Sequence, residues 1–417
     1  MRIWRYELIL LLRNRLALAG LILLALLGAA SVATGLAEVA RQRAAIARIA
    51  PAQAEDVAAV AHWAAPKGDP GDAAYYTFHA TWDPPSPLAF AALGMRDVSP
   101  YILRIRALGL EAQIYDGDNF NPELALPGRF EWAFVLVFLV PLFTIALFHD
   151  LASGEREAGR ARMLAVLPGG ASRVMRRRTL LRLALIVLAV GVPFLVGAAV
   201  SGVGPVTVLA VLALTVAYTG FWVGVAALVS RLRWSSVTNA ATLAAIWLLL
   251  VLVVPAAAHV AVNRLVPVPP GSAIALAQRE AVNGAWDIPR EATMRRFYAE
   301  HPQWADSAPL PTAFHWKWYF AFHQNGDRSV APQVAAYRAG LERRAAVGDA
   351  LGWLLPPVGV QAALTRLADT DARAQLAYRD RVRAYHRALR EFYYTYLFHD
   401  RPFGLADFGK APRFDAR

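Results

Sequence analysis

The sequence predicts an all-α polytopic membrane protein with five transmembrane helices and a mainly α-helical extracytoplasmic domain. Three observations carry this prediction. Five apolar runs come close to the roughly 20 residues a bilayer-crossing helix needs. Charged residues make up 18% of the chain, below the roughly 25% usual in a soluble domain. The arginines near the runs gather in three segments that fall on one side of them.

Residues 1–15, MRIWRYELILLLRNR, put Trp4, Leu8, Leu11 and Leu12 on one helical face, with Arg2, Arg5 and Glu7 elsewhere. That pattern suits a helix lying in the membrane interface, its arginine stems reaching water. The alternative is a plain inward extension of the first span. The first span is 16–37. Arginines before it and small residues after it also suit a signal peptide, but the run exceeds the roughly 7–15 residues of such a core, so a retained helix is expected. Then follow an extracytoplasmic segment (38–129), a second span (130–148), a basic segment (149–179), spans at 180–200, 206–229 and 237–262, and a C-terminal segment (263–417).

The basic segments are Arg2 to Arg15, Arg156 to Arg182, and Arg231 with Arg233, whereas the SGVGP turn after the third span has no charge. By the positive-inside bias the basic side and the N-terminus are cytoplasmic, and segments 38–129 and 263–417 lie outside. The piece LGWLLPPVGVQAAL (351–364) would make a sixth span. It is short and carries Pro356-Pro357, so a surface or re-entrant segment is expected. Further on, Leu376, Val382, Tyr385, Leu389 and Phe392 mark an amphipathic helix. Pro141, Pro193 and Pro255 each interrupt a span's backbone ladder, as bends used in gating or as tolerated kinks.

Chemistry is sparse. The chain has no cysteine, which excludes thiol catalysis and Cys-ligated metals. No G-x-x-x-x-G-K-[ST] loop and no H-E-x-x-H occur. No catalytic, cofactor or metal site is expected in this chain, and without a phosphate loop any ATP-driven work would have to come from a separate subunit. His315 and His323 frame HWKWYFAFH without a nearby acid, and His259 reads as an interfacial histidine. Glu155-x-Glu157-x-x-Arg160 faintly resembles an intramembrane-protease motif, but suitably spaced histidines are missing. The span centres lack Asp, Glu, Lys and Arg, which speaks against proton or sodium coupling. The net charge of +12 sits largely beside the spans, so no nucleic-acid partner is expected. Aromatic clusters at 75–82, 314–323 and 392–398 read as domain core and interfacial belt, or as a platform for an amphiphile or outer partner.

The informative stretch is HDLASGEREAGRARM, beginning at His149. Asp150, Glu155 and Glu157 suit the first turn of a short helix, and Arg160 and Arg162 its later turn. Met163, Leu164, Val166 and Leu167 add an apolar face, and Pro168-Gly169-Gly170 stops the helix. Such a segment, held at the membrane with its charges exposed, suits docking on another protein; the plain alternative is a solvated loop. Gly220-Phe-Trp-Val-Gly224 is a G-x-x-x-G that lets helices approach closely, within the chain or at a dimer seam.

Several stretches carry a resemblance: Pro84-Pro85, GMRDVSPYILRIR (94–106), Asn121-Pro122, Gly128-Arg-Phe, FVLVFLVPLFTIALFHDLASGERE (134–157) and LLPPVGVQAALTRLADTD (354–371). Over nearly its whole length the chain resembles type-2 ABC exporter permeases, in the bacterial branch with a large split extracytoplasmic domain. The resemblance implies that Asp150, Glu155, Arg156, Glu157 and Gly159 belong to the coupling segment contacting an ABC ATP-binding subunit. Where that family usually continues with Thr-Leu, this chain has Arg160-Ala161. It further implies a bacterial inner-membrane permease, paired with an identical or similar permease, exporting a hydrophobic or amphiphilic cargo. Membrane lipid and a periplasmic protein are further expected partners. The rivals are an ABC-type mechanotransmission or scaffold complex that transports nothing, and a plain membrane anchor.

Overall fold

The computed structural model describes residues 2–115, 130–166, 170–311 and 314–416. Over these the chain is mainly helical, and five helices are long and apolar enough to cross a membrane. α1 (Arg2–Arg13) is a helix of its own, because Asn14 intervenes and its side-chain oxygen accepts from the amides of Leu16 and Ala17. That N-cap starts α2 (Arg15–Ala47). α2 does not stop at Ala37. Its 33 residues extend about 50 Å, well beyond a hydrocarbon core of roughly 30 Å. Arg48 then turns the chain into α3 (Ile49–Ala64). Two four-residue strands, β1 (His79–Trp82) and β2 (Ile102–Ile105), pair antiparallel with His79 opposite Ile105 and Trp82 opposite Ile102. This short hairpin is the strand content of the described residues, and the rest of the regular structure is helical, in keeping with the all-α expectation. α4 (Leu110–Tyr115) follows.

The apolar helices are α5 (132–148), α8 (Gly170–Ser201), α9 (Pro205–Ser230) and α10 (Ser236–Leu265), together with α2; the short α6 (Ser153–Glu157) and α7 (Ala161–Ala165) lie between α5 and α8. Pro141 is braced from a neighbouring helix. Pro141 has no N–H, so the Val137 carbonyl one turn earlier loses its donor. The Tyr218 hydroxyl of α9 donates to that carbonyl at 2.8 Å, beside the π-turn Val135–Leu139. Near Pro193, the Trp132 indole N–H donates to the Val190 carbonyl at 3.1 Å. α10 makes its own π-turn at Leu248–Val253, just before Pro255. Residues 88–93, between the two strands in sequence, run through the bundle core. Gly35 and Gly197 admit them: a Cβ on Gly35 would stand 2.0 Å from the Phe90 carbonyl oxygen, and one on Gly197 2.5 Å from the Phe90 ring.

The C-terminal part contributes α11 (Gly271–Gly284), α12 (Trp316–Ser329), α13 (Ala331–Leu354), α14 (Pro356–Leu367) and α15 (Ala372–Leu397). Phe297, Trp318, Phe320, Tyr378 and Tyr393 pack with Ala61, Leu103, Ile105 and Ile114 in a second core. Residues from both 38–129 and 263–417 therefore build one aromatic unit beside the bundle. α13 and α14 form a tight helical hairpin, in which a Cβ on Gly352 would lie 2.7 Å from Gly359 Cα. Val360 and Leu364 of α14 join the bundle core, while Trp353 and Leu354 at the tip are 92% and 77% exposed. α14 has only 12 residues, about 18 Å of helix, too short to cross a bilayer.

Candidate coupling site

The stretch after α5 folds as two short helices rather than the single one expected. Gly159 separates them with φ +70, a left-handed conformation that glycine adopts without Cβ strain. This lets the Arg160 amide reach the Glu155 carbonyl at 2.9 Å and close the end of α6.

Each acid has a partner inside the chain; Glu155 is largely covered, whereas Glu157 is exposed and Asp150 half-exposed, as expected of charges presented to water. Glu155 pairs with Arg160 at 2.8 Å and with Arg178 of α8 at 2.7 Å. Arg178 also holds Glu7 of α1 at 2.8 Å. One chain of alternating charges thus joins α1, α6 and α8. Asp150 stands 3.7 Å from Arg182, which also donates to the Leu147 carbonyl. Glu157 accepts from the Ser236 amide at 2.7 Å and its hydroxyl at 2.9 Å, capping the start of α10. Arg156 donates to the Trp234 carbonyl at 3.1 Å. Ser153 bonds the Ser236 hydroxyl at 2.8 Å, and Asn239 donates to Ser153 at 3.3 Å. Apart from Arg160, these partners lie on elements distant in sequence, so a local reading of the stretch could not find them.

Apolar side chains take the exposed role: Met163 is 71% and Val166 83% exposed. They stand at the edge of a cleft of about 690 Å³, whose walls include Glu7, Leu10, Asp150, Glu155 and Arg178. Leu167-Pro168-Gly169, Asn121-Pro122 and Gly128-Arg129 lie outside the described residues.

Among the described residues Gly220 and Gly224 meet no other helix: a Cβ on either would find nothing within 4 Å. Among the described residues, close packing inside the chain does not use this G-x-x-x-G.

Sequence reasoning missed a hub between the two units. Arg96 donates to Gln42 of α2 at 3.0 Å and to Asp83 at 2.5 Å, and Arg381 of α15 donates to Asp83 at 2.5 Å. Polar Glu38 and Gln42 just past the first apolar run were its one signal. His315 and His323 do not converge. His315 Nδ1 caps α12 by accepting from the Lys317 amide at 3.1 Å, and His323 Nδ1 accepts from the Gly109 amide at 3.2 Å. His259 bonds Asn263 at 2.9 Å. The three aromatic clusters meet in the second core, with Tyr75 5.3 Å from Trp316 and Phe320 6.2 Å from Tyr394 between ring centres.

Comparison with known proteins adds little. No curated protein matches the chain. No solved structure matches it. The profile of a family described as a domain of unknown function (DUF3526) matches residues 273–417, from within α11 through the α13–α14 hairpin and past α15.

Proposed function

We propose that this chain is the permease subunit of a bacterial type-2 ABC exporter, set in the inner membrane with its arginine-rich end and N-terminus in the cytoplasm. The observation that carries this reading is the ion-pair chain Glu7–Arg178–Glu155–Arg160 beside the uncovered Met163 and Val166. The pairs tie three elements into one body, and the apolar side chains offer that body a contact for a partner. An ABC ATP-binding subunit, holding ATP and Mg, docks there. Its closure pushes α6 and α7. The push passes through Arg178 to α8 and α1, and through Glu157 to α10. A second permease, identical or similar, covers the open Gly220 and Gly224 face of α9. The cargo is hydrophobic or amphiphilic, in keeping with the uncharged span centres.

The test is affinity purification of the tagged chain from its native membrane in mild detergent, with partners identified by mass spectrometry. The wild-type chain retains a stoichiometric ATP-binding subunit, and Met163→Glu with Val166→Glu loses it while still inserting. Absence of that subunit from the wild-type chain, under conditions that preserve other ABC complexes, defeats the proposal.

One observation favours a second reading, mechanotransmission without transport. α2 runs unbroken from Arg15 to Ala47, and Gln42 near its end bonds the Arg96 hub, so movement at α1 reaches the aromatic unit directly. ATPase activity stimulated by an amphiphile supports export; stimulation by a periplasmic protein alone supports mechanotransmission.

A further inference from the structure

A second cleft, of about 580 Å³, opens in the aromatic unit, within the roughly 300–1,000 Å³ typical of ligand pockets. Its first wall is α3, where Ala50, Ala54, Ala58 and Ala61 recur at helical steps along one face and leave the space unfilled. Trp82 of β1, with Tyr385 and Tyr393 of α15, makes the opposite wall. Residues 405–414 cross the cleft as a strap. It is pinned by the Tyr385 hydroxyl donating to the Pro412 carbonyl at 3.0 Å and by Phe414 packing 5.4 Å from the Trp82 ring.

Polar groups interrupt this apolar lining; Gln53 of α3 is taken up by the Phe78 carbonyl and the Ala80 amide. Arg413 is exposed at the strap's rim and, among the described residues, forms no ion pair. It is the charged residue of the lining, since His79 is neutral: burial lowers its pKa to about 4. Toward the other end of the strand, His79 bonds the Tyr393 hydroxyl at 3.1 Å. Thr77, 1% exposed, sits within reach of that hydroxyl.

We propose that this cleft binds a single-chain anionic amphiphile, with its aliphatic chain along the alanine face of α3 and its carboxylate on Arg413. The charge chooses the head, because an unpaired guanidinium beside apolar walls matches a carboxylate. The open alanine face chooses the chain. The site stands apart from the exporter reading, because a chain that transports nothing can still hold an amphiphile there.

The chain lacks cysteine, so Ala54→Cys creates a single thiol on the cleft wall. Ala59→Cys creates one on the opposite face of α3, and both positions are exposed. The full chain in lipid nanodiscs is reacted with a water-soluble maleimide, with and without laurate, dodecanol or dodecyltrimethylammonium. No ATPase is needed, so failure here leaves the exporter proposal standing. Laurate is expected to slow labelling at position 54 at least about fivefold, its occupancy masking the thiol, and to leave position 59 unchanged. Arg413→Glu raises the half-protecting laurate concentration about tenfold and leaves that of dodecanol unchanged. Equal labelling at position 54 with and without laurate overturns the proposal, as does equal slowing at both positions, which marks partition into lipid. Laurate protection that ignores Arg413→Glu overturns the assignment of the head.

Discussion

Among single residues, Tyr218 has the clearest energetic role. It is 2% exposed, and its hydroxyl answers a carbonyl that Pro141 orphans one helix away. In a low-dielectric core an unanswered carbonyl is costly, and a lost hydrogen bond there is worth about 1–3 kcal/mol. Tyr218→Phe should therefore lower the unfolding temperature of the purified chain. The cost should shrink in a Pro141→Ala background, where the restored amide can serve Val137 itself. A double-mutant cycle by thermal melting checks this, and a coupling energy near zero refutes it. Half of this arrangement was legible: a proline within an apolar run announces an orphaned carbonyl. Its partner was not, because Tyr218 lies 81 residues away in sequence and only helix packing brings it near. The same holds for Glu155, whose acid character was plain but whose Arg178 partner depends on how α8 meets α6.

Elements were legible in proportion to how local their causes are. Five apolar runs fold as five long helices because length and composition are properties of the run itself. The overrun of α2 past Ala37 was hidden, since Glu38 and Gln42 look like an end until the Arg96 hub supplies partners. The β1–β2 hairpin was hidden too. Each strand has four residues, and they pair only after the chain between them has passed through the bundle core. The α13–α14 hairpin was partly legible through Pro356-Pro357. Its depth follows from α14, which packs against α9 and the π-turns of α5 and α10. If the bundle is a membrane bundle, a tip carrying exposed Trp353 and Leu354 lies in lipid, and its backbone remains paired because it is helical. An environment-sensitive fluorophore on Trp353→Cys should emit as in an apolar medium and be quenched by lipid-bound quenchers. The same label on Glu342→Cys, higher on α13, should report water. Water-like emission at position 353 would return the hairpin to the surface.

For the whole molecule, the two cores answer acid differently. The aromatic unit buries His79, His323 and His386 as neutral imidazoles. Burial, aided at His323 by Arg390 and Arg106, lowers their pKa values to about 4 for His79, about 3 for His323, and well below the usual range for His386. They are held within the aromatic unit, His79 by the Tyr393 hydroxyl and His386 by the Leu108 carbonyl. In the unfolded chain each imidazole titrates near 6.5, so below that value the unfolded state binds more protons than the folded one. Stability is then full above about pH 6.5 and falls as acid carries the pH toward the folded-state values. For His79, which is 5% exposed, the loss amounts to about 2 kcal/mol at about pH 5. Asp327 works in the opposite sense, its carboxyl raised by burial despite Arg390, so a histidine variant is needed to isolate the effect. Between about pH 7.5 and about pH 5, the wild-type aromatic unit should lose unfolding temperature while the bundle holds, separating one transition into two. His79→Gln should be less stable at neutral pH, where it weakens the bond to Tyr393, yet show a shallower acid dependence. Calorimetry of both proteins at the two pH values decides the matter: equal slopes would mean that His79 takes up no extra proton on unfolding and that the acid sensitivity arises elsewhere.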